Sequence, residues 1–179
     1  MIQHGPWQIK TSDEVYRDAY IKVRLDQVIR PDGKDGQHVV VNLKPGVCVL
    51  AMDEENNVFM TKEFHYGIGR YSIEGVSGGI EEGEDELLTA QRELQEEIGL
   101  VAKNWERVGS VDPFTTVVVS PTQLYIASGL SEAPAAPEGT EIIERVKLSL
   151  DEAIAKVSSG EITHAPTCVV LLQAKLRLG

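Results

Sequence analysis

The chain is poor in cations and in cysteine, and it has no apolar run long enough to matter to a membrane. Its 179 residues carry 17 Lys and Arg against 28 Asp and Glu, a formal net charge of −11. That balance argues against non-specific attraction to nucleic acid backbones or to anionic membranes. An acidic protein that handles an anionic substrate needs local cations instead, bound metal above all. Only Cys48 and Cys168 occur, without a Cys-x-x-Cys spacing. They read as two thiols in a reducing cytoplasm rather than as a disulfide. The longest apolar runs, "GVCVLAM" and "CVVLL", fall far short of a bilayer span. The amino terminus, "MIQHGPWQIK", lacks the basic and apolar regions of a signal peptide, so the expected location is the cytoplasm.

What is present is the composition of a soluble globular protein, 42% apolar and 25% charged. The length suits one domain, or a main domain with a small appendage, and a core of useful size. Residues 7–10, 20–29 and 37–43 are β-like, broken by the turn sequence "RPDGKDG". "GVCVLAMD" and "NVFMTKEFH", separated by "DEENN", read as a hairpin, and "YSIEG" as a short strand. Residues 85–98 are helical by pattern, with Gly99 where a left-handed cap belongs. Strands near 106–112, 122–128 and 142–149 lead to a helix whose Ser149 and Glu152 form a capping-box pattern and which Gly160 ends. A last helix is expected from Pro166, and residues 131–141 read as a loop. The fold class implied is α+β, a mixed sheet covered by helices. A small β unit over 1–43 would precede a main domain over 44–179.

Between Glu81 and Glu97 the chain sets eight carboxylates against one arginine, Arg92. On a helical wheel Leu87, Ala90, Leu94 and Ile98 form one stripe, the side that packs on the sheet. Glu93, Glu96 and Glu97 form a neighbouring stripe. A solvated helix face would intersperse lysines. The alternative is a site for a hard divalent cation, which wants several oxygen ligands. From Gly78 the fixed positions run to Glu84, then Arg92-Glu93-Leu94, Glu96-Glu97 and Gly99-Leu100. This spacing resembles the Nudix hydrolase signature at every fixed position.

The resemblance implies an α/β/α sandwich, a divalent metal (Mg²⁺ or Mn²⁺), and hydrolysis of a nucleoside diphosphate linked to another group. Carried over by position, Glu93, Glu96 and Glu97 bind metal with the main-chain carbonyl of Ser77. Arg92 orients the glutamates and Glu84 braces the loop, while Gly78 and Gly99 serve as turn residues.

Outside this box the chain resembles the ADP-ribose pyrophosphatase branch over nearly its whole length. That branch implies a homodimer in which the leading unit exchanges between subunits, with Trp7 matching an aromatic that stacks on adenine. Strand packing is the other reading of Trp7. Glu74 matches a glutamate that contacts substrate or metal, with a plain salt bridge as its alternative. His65 stands where the branch usually has arginine, and Thr115 where it usually has proline. His65 would contact a phosphate when protonated, or be a buried, hydrogen-bonded histidine. "GTEIIERVKL" places Glu141 at the position of the general base, with Glu144 in reserve. The resemblance implies an ADP-ribose-like substrate. A dinucleotide and a non-catalytic nucleotide-binding role are the competing readings.

Overall fold

The structure is a computed structural model and describes residues 1–136 and 142–178. Contacts divide the chain into two compact units, Met1–Pro45 with Asp112–Pro121, and Gly46–Val111 with Thr122–Gly179.

The first unit is a sheet. Strands β1 (Ile2–His4), β2 (Trp7–Arg17), β3 (Ile21–Ile29) and β4 (Asp35–Leu43) pair antiparallel in sequence order. The β3–β4 turn closes at Gly33, whose φ of 80° favours a residue without Cβ. Val118–Val119 then joins β4 in parallel, which is what brings residues 112–121 into this unit.

The second unit is a seven-stranded mixed sheet with helices on both faces. Its strands are β5 (Gly46–Met52), β6 (Asn57–His65), β7 (Arg70–Glu74), β8 (Val76–Gly79), β9 (Leu100–Val111), β11 (Thr122–Glu132) and β12 (Glu144–Ser149), the Val118–Val119 strand being β10. The main path runs β12-β6-β5-β11-β9, with β7 beside β6 and β8 beside β5. β11 lies parallel to β5 and the other pairings are antiparallel.

Period-two alternation on the central strands sends side chains to two separate cores. Val47, Val49, Ala51, Tyr125 and Ala127 meet helix α1 (Glu86–Ile98) through Ala90, Leu94 and Ile98. Cys48, Leu50, Leu124 and Ile126 meet helices α2 (Leu150–Ser158) and α3 (Ala165–Leu178) on the other side. β5, buried from Val47 to Ala51, therefore reads as one continuous apolar run, as a strand covered on both faces should.

The expected elements are present, with longer bounds in places. β2 continues to Arg17 and β9 starts at Leu100. β1 and β8 lack a run of β-formers, and β10 is a two-residue strand within the β-branched run 115–119. Gly78 and Gly79 pair in β8 against Val47 and Gly46, so the expectation that Gly78 is a turn residue is corrected. The capping box of Ser149 and Glu152 is formed. β11 takes in residues 131 and 132 of the expected loop, and residues 137–141 lie outside the described residues.

α1 is capped at both ends. Asp85 accepts from the Leu87 and Leu88 N–H groups, and Gly99 adopts φ 66°, returning its N–H to Gln95 and Leu94 carbonyls. A Cβ on Gly99 would also stand 2.8 Å from the Ala133 carbonyl oxygen. Gly99→Ala is therefore expected to cost at least about 1 kcal/mol, or several degrees in Tm for a chain of this size. An unchanged thermal midpoint would contradict this account of the cap.

Candidate active site

The carboxylates expected to act together lie on one helix and against one strand. α1 carries Glu93, Glu96 and Glu97 beside its buried stripe of Ala90, Leu94 and Ile98, so the sheet contact fixes their direction. Burying Leu94 contributes about 2 kcal/mol. Each close like-charge pair on the helix costs a few tenths of a kcal/mol. Packing therefore holds the helix despite its acidity.

Arg92 is the hub. Its Nε donates to Glu84 Oε1 at 3.0 Å and its Nη2 to Glu84 Oε2 at 3.3 Å. Its Nη1 reaches Glu96 Oε2 at 2.9 Å and Glu93 Oε1 at 2.8 Å. One guanidinium thus gathers three carboxylates with the planar fork that only arginine offers. Glu84 Oε2 also accepts from the Glu81 N–H, which ties the loop before α1. The Arg92 guanidinium beside Glu84 holds the Glu84 carboxyl down at about 2 against its ordinary 4.5, although burial opposes this. The same partners, Glu84 first, push Arg92 above its usual value.

Gly78 has a specific role here. The Glu93 carboxylate occupies the space a Cβ on Gly78 would fill, so β8 and α1 approach through this missing side chain. Ser77, the preceding residue, pairs with Cys48 of β5 and donates its hydroxyl to the Gly75 carbonyl at 2.8 Å. Cys48 is fully buried, and burial pushes its thiol up to about 12, leaving it inert. Both cysteines are free thiols.

Glu74 and His65 meet. Glu74 Oε1 lies 3.1 Å from His65 Nε2, with His65 38% exposed at its side chain, so His65 is paired rather than buried. A third member went unrecognised in the sequence, His164, whose Nδ1 lies 3.2 Å from Glu74 Oε2. Burial lowers its pKa, the Glu74 charge opposing and the His65 charge adding to the shift. Its position just before a helix starting near Pro166 was legible. Its approach to Glu74 was not, because the two are far apart in the chain.

Trp7 stands in the first unit, its ring 5.6 Å from that of His38. The two line a cavity of about 680 Å³ with Thr115 on its wall. Asp26, 3% exposed, lines the same cavity, and its Oδ1 has no hydrogen-bond partner among the described residues. Glu144 opens β12 and pairs with Lys62 at 3.1 Å. Glu141 lies outside the described residues.

Glu93, Glu96, Glu97 and the Ser77 carbonyl offer oxygen donors, a set that suits a hard divalent cation. Glu93 and Glu96 turn toward Arg92, and among the described residues no three His, Cys, Asp or Glu side chains already converge on one metal position.

Sheet, flanking helices and the acidic box on one helix together have the arrangement that the Nudix resemblance implies. The family model described as NUDIX domain matches residues 42–167, and that described as nucleoside diphosphate sugar hydrolase N-terminal domain matches residues 7–41. The chain belongs to the Nudix family. It is 28% identical over 171 residues to the methanol dehydrogenase activator of Bacillus methanolicus, covering 94% of this chain and 92% of that one. It is 30% identical over 168 residues to the ADP-ribose pyrophosphatase of Mycobacterium tuberculosis (strain ATCC 25618 / H37Rv), covering 92% and 81%. The solved structure of an ADP compounds hydrolase shares the fold, with a TM-score of 0.81 at 18% identity over 99% of this chain and 97% of that one.

The depressed Glu84 carboxyl predicts a pH dependence. A folded-state pKa below the unfolded one gives stability that is fully present above about pH 4.5 and is lost as pH falls toward about 2. Glu84→Gln is expected to lower Tm at pH 7 and to lose less on going from pH 4.5 to pH 2. Parallel Tm-against-pH curves for the two proteins would contradict the Arg92–Glu84 linkage.

Proposed function

We propose that the chain hydrolyses the pyrophosphate bond of ADP-ribose or a related nucleoside diphosphate sugar, releasing a nucleoside monophosphate and a sugar phosphate. The observation that carries this reading is the complete stripe of Glu93, Glu96 and Glu97 beside the Arg92–Glu84 clamp. These glutamates and the Ser77 carbonyl would hold Mg²⁺ or Mn²⁺, which when bound would neutralise charge on the pyrophosphate and lower the pKa of water.

The chain's own residues do the rest. Arg92 holds Glu93 and Glu96 and limits their repulsion. Gly78 leaves room for Glu93, and Gly99 fixes the end of the helix that carries the box. Glu141 accepts the proton of the attacking water, with Glu144 in reserve. Glu74 and His65 contact the substrate.

Residues 1–43 serve dimerisation and substrate contact, and residues 44–179 carry the hydrolytic chemistry. In a homodimer, Trp7 stacks on the base, and the vacant acceptor of Asp26 suits a ring amino group. The cytoplasm is the proposed location. His65, 3.1 Å from Glu74, stands where arginine is usual, and the second reading for the same chemistry is a dinucleotide as substrate.

Incubation with Mg²⁺ and a panel of nucleotide sugars, dinucleotides and triphosphates, followed by product identification, tests the reading. Cleavage of triphosphates alone would overturn it. Glu97→Gln is expected to keep the fold and to reduce turnover by at least about two orders of magnitude. Near-normal rates with unchanged metal affinity would remove Glu97 from the metal set. Trp7→Ala is expected to raise KM with a smaller effect on kcat, since stacking serves ground and transition states alike. An unaltered KM, or a monomer in sedimentation at micromolar concentration, would contradict the proposed role of the N-terminal unit.

A further inference from the structure

Glu74 and Gly75 form the corner where β7 passes into β8, two residues before Ser77, and this corner is held from several sides. The Glu74 side chain is 13% exposed, and an enclosed carboxylate is costly without partners. Its two oxygens face two imidazoles, His65 Nε2 at 3.1 Å and His164 Nδ1 at 3.2 Å. His164 Nδ1 is also 2.8 Å from the Thr167 hydroxyl, three residues along and fully buried. That hydroxyl accepts the Gly75 N–H at 2.8 Å, so one side chain of α3 ties both the imidazole and the backbone of the corner. From β6, Thr61 donates to the Glu74 carbonyl at 3.3 Å. Against β5 the chain leaves no room, since a Cβ on Gly75 would stand 2.9 Å from the Val49 carbonyl oxygen.

We propose that His164, with Thr167, is a positioning residue for the hydrolytic site: it fixes the Glu74 carboxylate and the chain entering β8, and so makes the C-terminal segment part of the machinery. The inference rests on the hydrolase reading above. An ionised carboxylate can accept about four hydrogen bonds, so the two imidazoles fix its orientation and leave lone pairs for a ligand. Groups that orient such a carboxylate matter by about 10- to 100-fold in activity or metal affinity.

The geometry also selects a tautomer. Burial lowers the pKa of His164, so the ring is neutral at neutral pH. With Nδ1 3.2 Å from a Glu74 oxygen, an Nδ1–H tautomer donates to the carboxylate, whereas the opposite tautomer would set two acceptors against each other.

Two measurements test the proposal. The first is a double-mutant cycle on ADP-ribose turnover in Mg²⁺, with Glu74→Gln and His164→Leu. His164→Leu is expected to lose at least about tenfold in kcat in the otherwise native protein, and to lose little more in the Glu74→Gln background. His164→Asn, which keeps a donor near the Nδ1 position, is expected to recover most of the loss. Additive losses, or equal effects of Leu and Asn, would show that His164 acts only through general stability and would overturn the proposal. The second is a long-range ¹⁵N–¹H spectrum of the imidazoles in the native protein, which needs no turnover. An Nδ1–H tautomer at His164 is expected, and an Nε2–H tautomer would overturn the clamp. Failure to cleave ADP-ribose with an Nδ1–H tautomer would count against the functional reading and leave the clamp standing.

Discussion

The arrangement depends on one guanidinium. Arg92 is the cation that engages the acidic helix from within it, reaching Glu84 before the helix, Glu93 next to it and Glu96 one turn on. Without it, three neighbouring carboxylates would lose the cation they share. With it, Glu84, Glu93 and Glu96 share one partner. A lysine could supply the charge but not the fork that serves several carboxylates in one plane.

The second constraint is that the sheet is used on both faces. β5 sends Val47, Val49 and Ala51 to α1 and sends Cys48 and Leu50 to α2 and α3. One strand therefore supports the acidic box on one side and the C-terminal helices on the other. β8 pairs with this same strand, which sets Ser77 and Gly78 beside α1 without a long loop. The close approach of Glu93 to Gly78 follows from that pairing, because any side chain at Gly78 would displace the carboxylate. α1 survives its own charge because burial of Leu94, Ala90 and Ile98 outweighs repulsion that amounts to tenths of a kcal/mol per pair.

Local signals in the sequence were enough for most of the fold. The 3.6-residue stripe of α1, its Gly99 cap and the capping box of Ser149 and Glu152 depend on neighbours in the chain, and all are formed. The box spacing likewise exposed Glu93, Glu96, Glu97, Arg92 and Glu84 as a set. What could not be read is what distant strands bring together. β8 is too rich in glycine to announce itself, and its Gly78 pairs with Val47 only once β5 lies beside it. β10 has two residues and exists only through its pairing with β4. His164 and Thr167 meet Glu74 and Gly75 across some ninety residues, with no local pattern to mark them.

The central claim is that the acidic helix, once loaded with a divalent cation, directs water onto a phosphorus atom of a pyrophosphate. Hydrolysis of ADP-ribose in ¹⁸O-labelled water, with Mg²⁺ or with excess chelator, tests this most directly when both products are weighed by mass spectrometry. The account predicts cleavage only with metal, giving AMP and ribose phosphate, with one ¹⁸O in the phosphate of one of the two. Cleavage that proceeds equally in chelator, or label appearing on a sugar carbon after breakage of a glycosidic bond, would contradict it.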